Sequence, residues 1–82
     1  MPGDHQIFAS ALGIVLARNL KKFRVAEGES REEFAVRVGM PVGQLNELEA
    51  GRADPSLRTI EALAAKLGIE PNLLLDGPTD SA

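Results

Sequence analysis

Side chains that commonly perform catalysis or hold metal ions are scarce in this sequence. It contains no cysteine and a single histidine, His5, which lies in a polar N-terminal stretch. Protein zinc sites usually combine several cysteine or histidine ligands. The adjacent carboxylates of Glu32 and Glu33 follow Ser30 at the spacing of a helix-capping box, which explains them without an acid–base role. With no nucleophile–base pair and no phosphate-binding glycine loop, the residues predict no enzyme, no metal site and no cofactor.

Residues 31–50 have the spacing of a helix-turn-helix, in which two short helices are joined by a tight turn. The helices are predicted at Arg31–Val38 and Val42–Glu49, with Ala35 small enough to let them cross and Gly39 in the turn. Apolar residues on both helices anchor the pair to a core: Phe34, Val38, Met40, Leu45 and Leu48. A plain helical hairpin is the alternative, and the joint pattern of cap, alanine, glycine and anchors favours the specific motif.

Three further helices position this motif. Apolar residues at helical spacing predict a first helix from Ile7 to Ala26, whose inward side chains are Phe8, Leu12, Val15, Leu16, Leu20 and Phe23. Ser56 caps a fourth helix, whose apolar stripe is Leu57, Ile60, Leu63, Ala64 and Leu67. Pro71 opens a short fifth helix over residues 72–75. The sequence therefore predicts an all-α bundle over residues 7–75, between a disordered N-terminus (1–6) and a disordered tail (76–82).

Length, charge and composition limit the classes of partner that the protein can bind. The chain has 82 residues, enough for one small domain, and a net charge of −3, which counts mildly against a nucleic-acid partner. Only 4% of residues are aromatic, so a base-stacking platform for single strands is not expected. No apolar run is long enough to span a membrane and no signal peptide is evident, which predicts a cytoplasmic protein with no membrane partner.

The stretches 30–39, 45–51, 55–56 and 63–69 resemble the Cro/phage-repressor (XRE) type of helix-turn-helix domain. The resemblance runs from about Leu12 to Leu75. It implies a five-helix, lambda-repressor-like bundle with an extended first helix. It also implies a transcription regulator that binds double-stranded DNA as a dimer, with the third helix in the major groove. Arg24 and Glu49 match a structural ion pair that ties the first helix to the third.

The resemblance also implies which residues touch DNA. Arg31, Arg52 and Arg58 match or fit positions that contact phosphates. The base-reading positions are occupied by Val42, Gln44, Asn46 and Glu47. Asn and Gln read adenine well and valine suits a thymine methyl group. The sequence departs from the pattern at Gly43, which reads nothing, and at Glu47, which repels phosphate unless it accepts from a cytosine amine or pairs with an arginine.

Surplus apolar residues at both ends of the domain predict a homodimer. Ile7, Ala11 and Ile14 form a strip beside the inward residues of the first helix. Of the consecutive residues Leu73, Leu74 and Leu75, only some can face inward. Either set is a candidate interface, and a small core gains stability from pairing. The alternative is a long first helix that wraps its own core.

Two functions are consistent with these residues. The first is a sequence-specific DNA-binding transcriptional regulator that acts as a homodimer. The alternative is a protein-interaction module on the same fold with DNA binding lost or weak. The acidic balance, Gly43, Glu47 and the apolar N-terminus support the second.

Overall fold

Five α-helices and no strand form the part of the chain that the computed structural model describes, which is the backbone of residues 2–76 and the side chains of residues 11–76. The helices are α1 (Pro2–Ala26), α2 (Arg31–Val38), α3 (Val42–Glu49), α4 (Leu57–Leu67) and α5 (Pro71–Leu75). The predicted all-α, five-helix fold is confirmed. The predicted disordered tail, residues 76–82, lies outside the described residues apart from Asp76.

Local hydrogen bonds set the ends of the short helices. The Glu33 N–H donates to Ser30 Oγ at 3.1 Å, and the Ser30 N–H donates to the Glu33 carboxylate at 2.9 Å, which completes the capping box. The Thr59 N–H donates to Ser56 Oγ at 3.1 Å at the start of α4. Gly39 has φ of 74°, the left-handed conformation that turns the chain from α2 towards α3.

Helix α1 begins at Pro2, earlier than the predicted start at Ile7. The predicted disordered segment, residues 1–6, is therefore helical from residue 2 onward. Proline is favoured in the first turn of a helix because that position has no intrahelical partner for an N–H. At 1.5 Å per residue, the 25 residues of α1 extend for about 37 Å.

The hydrophobic core lies between α1 and the four shorter helices. Helix α1 packs against α3 and α5, α2 packs against α3 and α4, and α5 closes on α4. The predicted helix-turn-helix anchors are in the core, where Met40 is partly buried and the other four are buried. The largest fully buried side chains come from all five helices: Leu16, Leu20, Phe34, Leu45, Leu63 and Leu74.

Two leucines predicted to face inward do not. Leu12 is 54% exposed, and Leu57 is also exposed. Leu12 lies two turns before Asn19 on the side of α1 that holds α5, and the five residues of α5 extend for only about 7.5 Å. Leu57 is the first residue of α4, directly after the Ser56 cap, and its side chain lies outside the core.

Two residues of α1 hold it against neighbouring parts of the fold, although the apolar pattern does not single them out. The Asn19 amide is buried and donates from Nδ2 to the Leu74 carbonyl at 2.6 Å and to the Asp76 carbonyl at 2.8 Å. These bonds join α1 to the end of α5. Gly13 is buried against the α3–α4 loop, where a Cβ atom on it would lie 2.9 Å from the Ala53 carbonyl oxygen.

Candidate nucleic-acid interface

Helix α3 turns one side to the core and the other to solvent. Leu45, Leu48 and Glu49 are buried. The remaining residues form the outward face of α3, which contains every predicted base-contacting residue and Gly43: Val42, Gly43, Gln44, Asn46 and Glu47. A Cβ atom on Gly43 would have no neighbour within 4 Å. The centre of the outward face is therefore open to a molecule that approaches it.

Glu47 and Arg52 form an ion pair beside the outward face. The Arg52 guanidinium donates from Nε to Glu47 Oε1 at 3.2 Å and from Nη2 to Oε2 at 3.0 Å. These hydrogen bonds, together with the arginine charge, hold the pKa of Glu47 below its ordinary value. The pair joins a predicted base contact to a predicted phosphate contact, and it neutralises the carboxylate that would otherwise repel DNA.

The Glu49 carboxylate holds two arginines at the C-terminal end of α3. Arg24 Nε donates to Oε2 at 2.8 Å, so the two predicted ion-pair partners lie together. The Glu49 side chain is 1% exposed and that of Arg24 is 14% exposed. Arg24 also donates from Nη1 to the Glu29 carbonyl at 3.1 Å. This arrangement links α1, α3 and the loop before α2.

Arg31 is the second arginine at Glu49, and sequence reasoning missed this contact. Its Nε donates to Glu49 Oε1 at 3.4 Å, while half of its side chain remains exposed. A signal for it was available, because a buried carboxylate has two oxygens that both require partners. The predicted phosphate ligand is therefore tethered at its Nε to the end of α3.

Arg58 lies at the other end of the outward face. Arg58 and Gln44 both line a small cleft of about 230 Å³ between the start of α3 and α4. The fold thus places Arg31 and Arg52 towards the C-terminal end of α3 and Arg58 beside its N-terminal turn.

The residues predicted to form the dimer interface differ in their exposure. Ala11 and Ile14 are exposed, and the side chain of Ile7 lies outside the described residues. Leu73 is 44% exposed, whereas Leu74 is fully buried and Leu75 is partly buried against the core. The prediction is wrong for Leu74, because successive helical residues point about 100° apart and this one lies in the core.

Comparison with known proteins gives the family of this fold. A profile described as helix-turn-helix matches residues 20–74, which is more than half of the chain. The chain therefore belongs to the helix-turn-helix family, and within it to the Cro/phage-repressor type that the sequence resembles. None of the described helices is long and apolar enough to cross a bilayer.

Two curated relatives carry regulator names. A hypothetical transcription factor of Neisseria meningitidis serogroup B is 38% identical over 69 residues, covering 84% of this chain and 65% of the relative. The HTH-type transcriptional regulator DdrOP3 of Deinococcus deserti is 36% identical over 62 residues, covering 76% of this chain and 48% of the relative. The chain thus spans less than two thirds of the length of these relatives.

Solved structures agree with this assignment. The hypothetical transcription factor NHTF from Neisseria superposes with a TM-score of 0.74 at 39% identity, covering 82% of this chain and 77% of that one. The restriction-modification controller protein C.AhdI from Aeromonas hydrophila gives a TM-score of 0.67 at 32% identity, covering 76% of this chain and 94% of that one.

Proposed function

We propose that this protein is a sequence-specific DNA-binding transcriptional regulator that inserts α3 into the major groove. The observation that carries the proposal is the outward face of α3, which is unpacked, mostly polar and flanked by arginines at both ends. A helix of this kind fits the major groove of B-form DNA. The names of the relatives support the same function. As a regulator of this type, it acts in the cytoplasm without a cofactor, a metal or catalysis.

Base recognition falls to three side chains. Gln44 and Asn46 each offer a donor and an acceptor, which suits the N6 and N7 edge of adenine. Val42 suits a thymine methyl group. Gly43 adds no contact, but its missing side chain lets the α3 backbone approach the base edges. Glu47 accepts from a cytosine amine only by sharing its carboxylate with Arg52.

Phosphate contacts position α3 on the duplex. The bonds between Arg52 and Glu47 use Nε and Nη2, which leaves the Nη1 hydrogens of that guanidinium available to a phosphate oxygen. Arg31 uses Nε for Glu49 and keeps its outer nitrogens for the same purpose. Arg58, near Gln44, contacts the phosphates on the opposite side of the groove. Together these arginines fix the register of the helix but do not read sequence.

A homodimer supplies the affinity that one helix lacks. Two copies related by a two-fold axis would read half-sites about one helical turn apart, roughly 34 Å. Leu73 on α5 is exposed, and Leu12 lies two turns before Asn19 on the side of α1 that holds α5. We place the interface on this α1–α5 side, with Ala11 at its edge, because an exposed apolar set favours pairing.

Replacement of Arg31 by alanine tests the DNA contact. We expect Arg31→Ala to weaken binding to all duplexes alike and to reduce the salt dependence by about one phosphate contact, since one cation no longer displaces counterions. The measurement is a titration of duplexes, obtained by selection from a random pool, at two salt concentrations. Arg37→Ala is the matched control, because Arg37 lies on the same helix and its partner is Glu29 instead.

Two results would count against this proposal. An unchanged salt slope for Arg31→Ala would remove Arg31 from the DNA contact. A wild-type protein that selects no duplex from the random pool would favour the alternative, a protein-interaction module with DNA binding lost or weak.

The oligomeric state is tested separately. We expect the wild-type protein to sediment as a dimer and Leu73→Glu to sediment as a monomer, because a carboxylate at the interface would be buried without a partner. The monomer then loses DNA affinity by mass action without a change in the DNA-contacting face. Val36→Glu on α2 is the control, since Val36 is the most exposed large apolar residue described and lies away from α5. A wild-type monomer at micromolar concentration refutes the dimer.

A further inference from the structure

An open groove of about 700 Å³ runs along the outer side of α1 beside the end of α3. Apolar side chains of α1 line it, among them Ile14, Ala17 and Val25, and Ala50 and Gly51 close its other side. Ile14 and Val25 are at least half exposed. None of the lining residues is a proposed base contact. The volume lies within the roughly 300–1,000 Å³ of ligand pockets and exceeds what one side chain fills.

The charge of the groove is positive although the chain as a whole carries −3. Arg18, Lys21 and Lys22 line it from α1. Its acidic lining residue is Glu49, whose carboxylate is 1% exposed and already holds Arg24 and Arg31. None of the salt bridges among the described residues uses Lys21 or Lys22. The groove therefore offers an apolar floor with the ammonium groups of Lys21 and Lys22 beside it.

These features select one class of occupant. Two copies paired groove to groove by a two-fold axis would bring both Lys21–Lys22 clusters into one interface, and the buried Glu49 carboxylates could not offset them, which is repulsive. Duplex DNA presents a charged backbone that gains nothing from Ile14 and Val25. An amphipathic helix with apolar residues on one face and carboxylates along its flanks satisfies both the floor and the cations.

We propose that this groove binds an acidic amphipathic helix of another protein. Its apolar face contacts Ile14 and Val25, and its carboxylates pair with Lys21 and Lys22. The site shares no residue with the outward face of α3, so it gives a DNA-bound regulator a surface for recruiting, or responding to, a protein partner.

The experiment titrates the full isotope-labelled chain with a synthetic peptide and follows backbone amide resonances. The peptide is a short amphipathic helix with leucines on one face and glutamates on both flanks. We expect saturable shifts at Ile14, Val25 and Gly51. Reversal of both groove lysines, Lys21→Glu with Lys22→Glu, should weaken binding roughly tenfold. Lys66→Glu on α4 is the control reversal outside the groove and should leave the affinity unchanged.

Several results would overturn the proposal. These are absence of peptide binding, shifts that map to another face, and equal binding of the same peptide with lysines in place of the glutamates. If the groove resonances instead move with protein concentration, a second copy is the occupant. If they move on addition of duplex DNA alone, the groove belongs to the nucleic-acid interface. Because the peptide titration contains no DNA, its outcome does not depend on the proposed DNA-binding function.

Discussion

Replacement of Glu49 by alanine is expected to destabilise the protein by about 3 kcal/mol, the largest effect we predict for a single side chain. The Glu49 carboxylate is almost fully buried, and it lies between the guanidinium groups of Arg24 and Arg31. Its removal leaves Arg24 largely buried without its carboxylate partner and exposes it to repulsion from Arg31. For a domain of this size, the midpoint of thermal unfolding should fall by roughly 12–24 °C.

A matched variant isolates the role of burial. Glu47→Ala removes the same side chain from the same helix, but the Glu47–Arg52 pair is exposed to solvent. We expect the unfolding midpoint of Glu47→Ala to stay close to that of the wild type, because exposed ion pairs contribute little. Thermal unfolding followed by circular dichroism measures both. Equal midpoints for Glu49→Ala and Glu47→Ala would show that the buried pair does not support the fold.

Replacement of Gly13 by alanine is expected to destabilise the protein although alanine is the better helix former. The new Cβ atom would lie 2.9 Å from the Ala53 carbonyl oxygen and 3.4 Å from that of Gly51. Both are backbone atoms, so α1 and the α3–α4 loop must move apart. Overpacking of this kind costs about 1–3 kcal/mol, more than the roughly 0.5–1 kcal/mol that alanine contributes to a helix.

Gly43→Ala is the control for Gly13→Ala, because it places the same atom in a helix with no neighbour within 4 Å. Here the helix preference acts alone, and we expect stabilisation by about 0.5–1 kcal/mol. The free energy of unfolding in urea gives both values. A Gly13→Ala variant as stable as Gly43→Ala would mean that α1 does not approach the loop this closely.

The bounds of α2, α3 and α4 followed from the sequence because their ends depend on residues a few positions apart. Ser30 and Glu33 complete a cap within one helical turn, and Gly39 supplies the left-handed turn between α2 and α3. The anchors of the helix-turn-helix followed from helical periodicity for the same reason. The outward face of α3 could be predicted likewise, since burial of Leu45 and Leu48 directs the remaining side chains to solvent.

The contact between Arg31 and Glu49 could not be predicted from residues that are close together in the sequence. Arg31 and Glu49 are 18 positions apart, and only the packing of α2 against α3 brings their charged groups to 3.4 Å. The pairing of Arg52 with Glu47 depends on the path of the chain after Gly51, which local patterns leave open. The sequence therefore indicated these residues as candidates for DNA contact, but not their contacts with Glu47 and Glu49, which depend on tertiary packing.

By itself, the sequence determined the helical class, the ends of the short helices and the position of the helix-turn-helix, because these depend on hydrogen bonds and apolar spacing within one or two turns. The tertiary structure alone decided that Leu12 is exposed, that Leu74 is buried, that Gly13 touches a loop and that Asn19 holds the end of α5. Periodicity gives the direction of a side chain around its own helix. Whether another helix covers that direction depends on helix lengths and on packing between residues distant in the sequence.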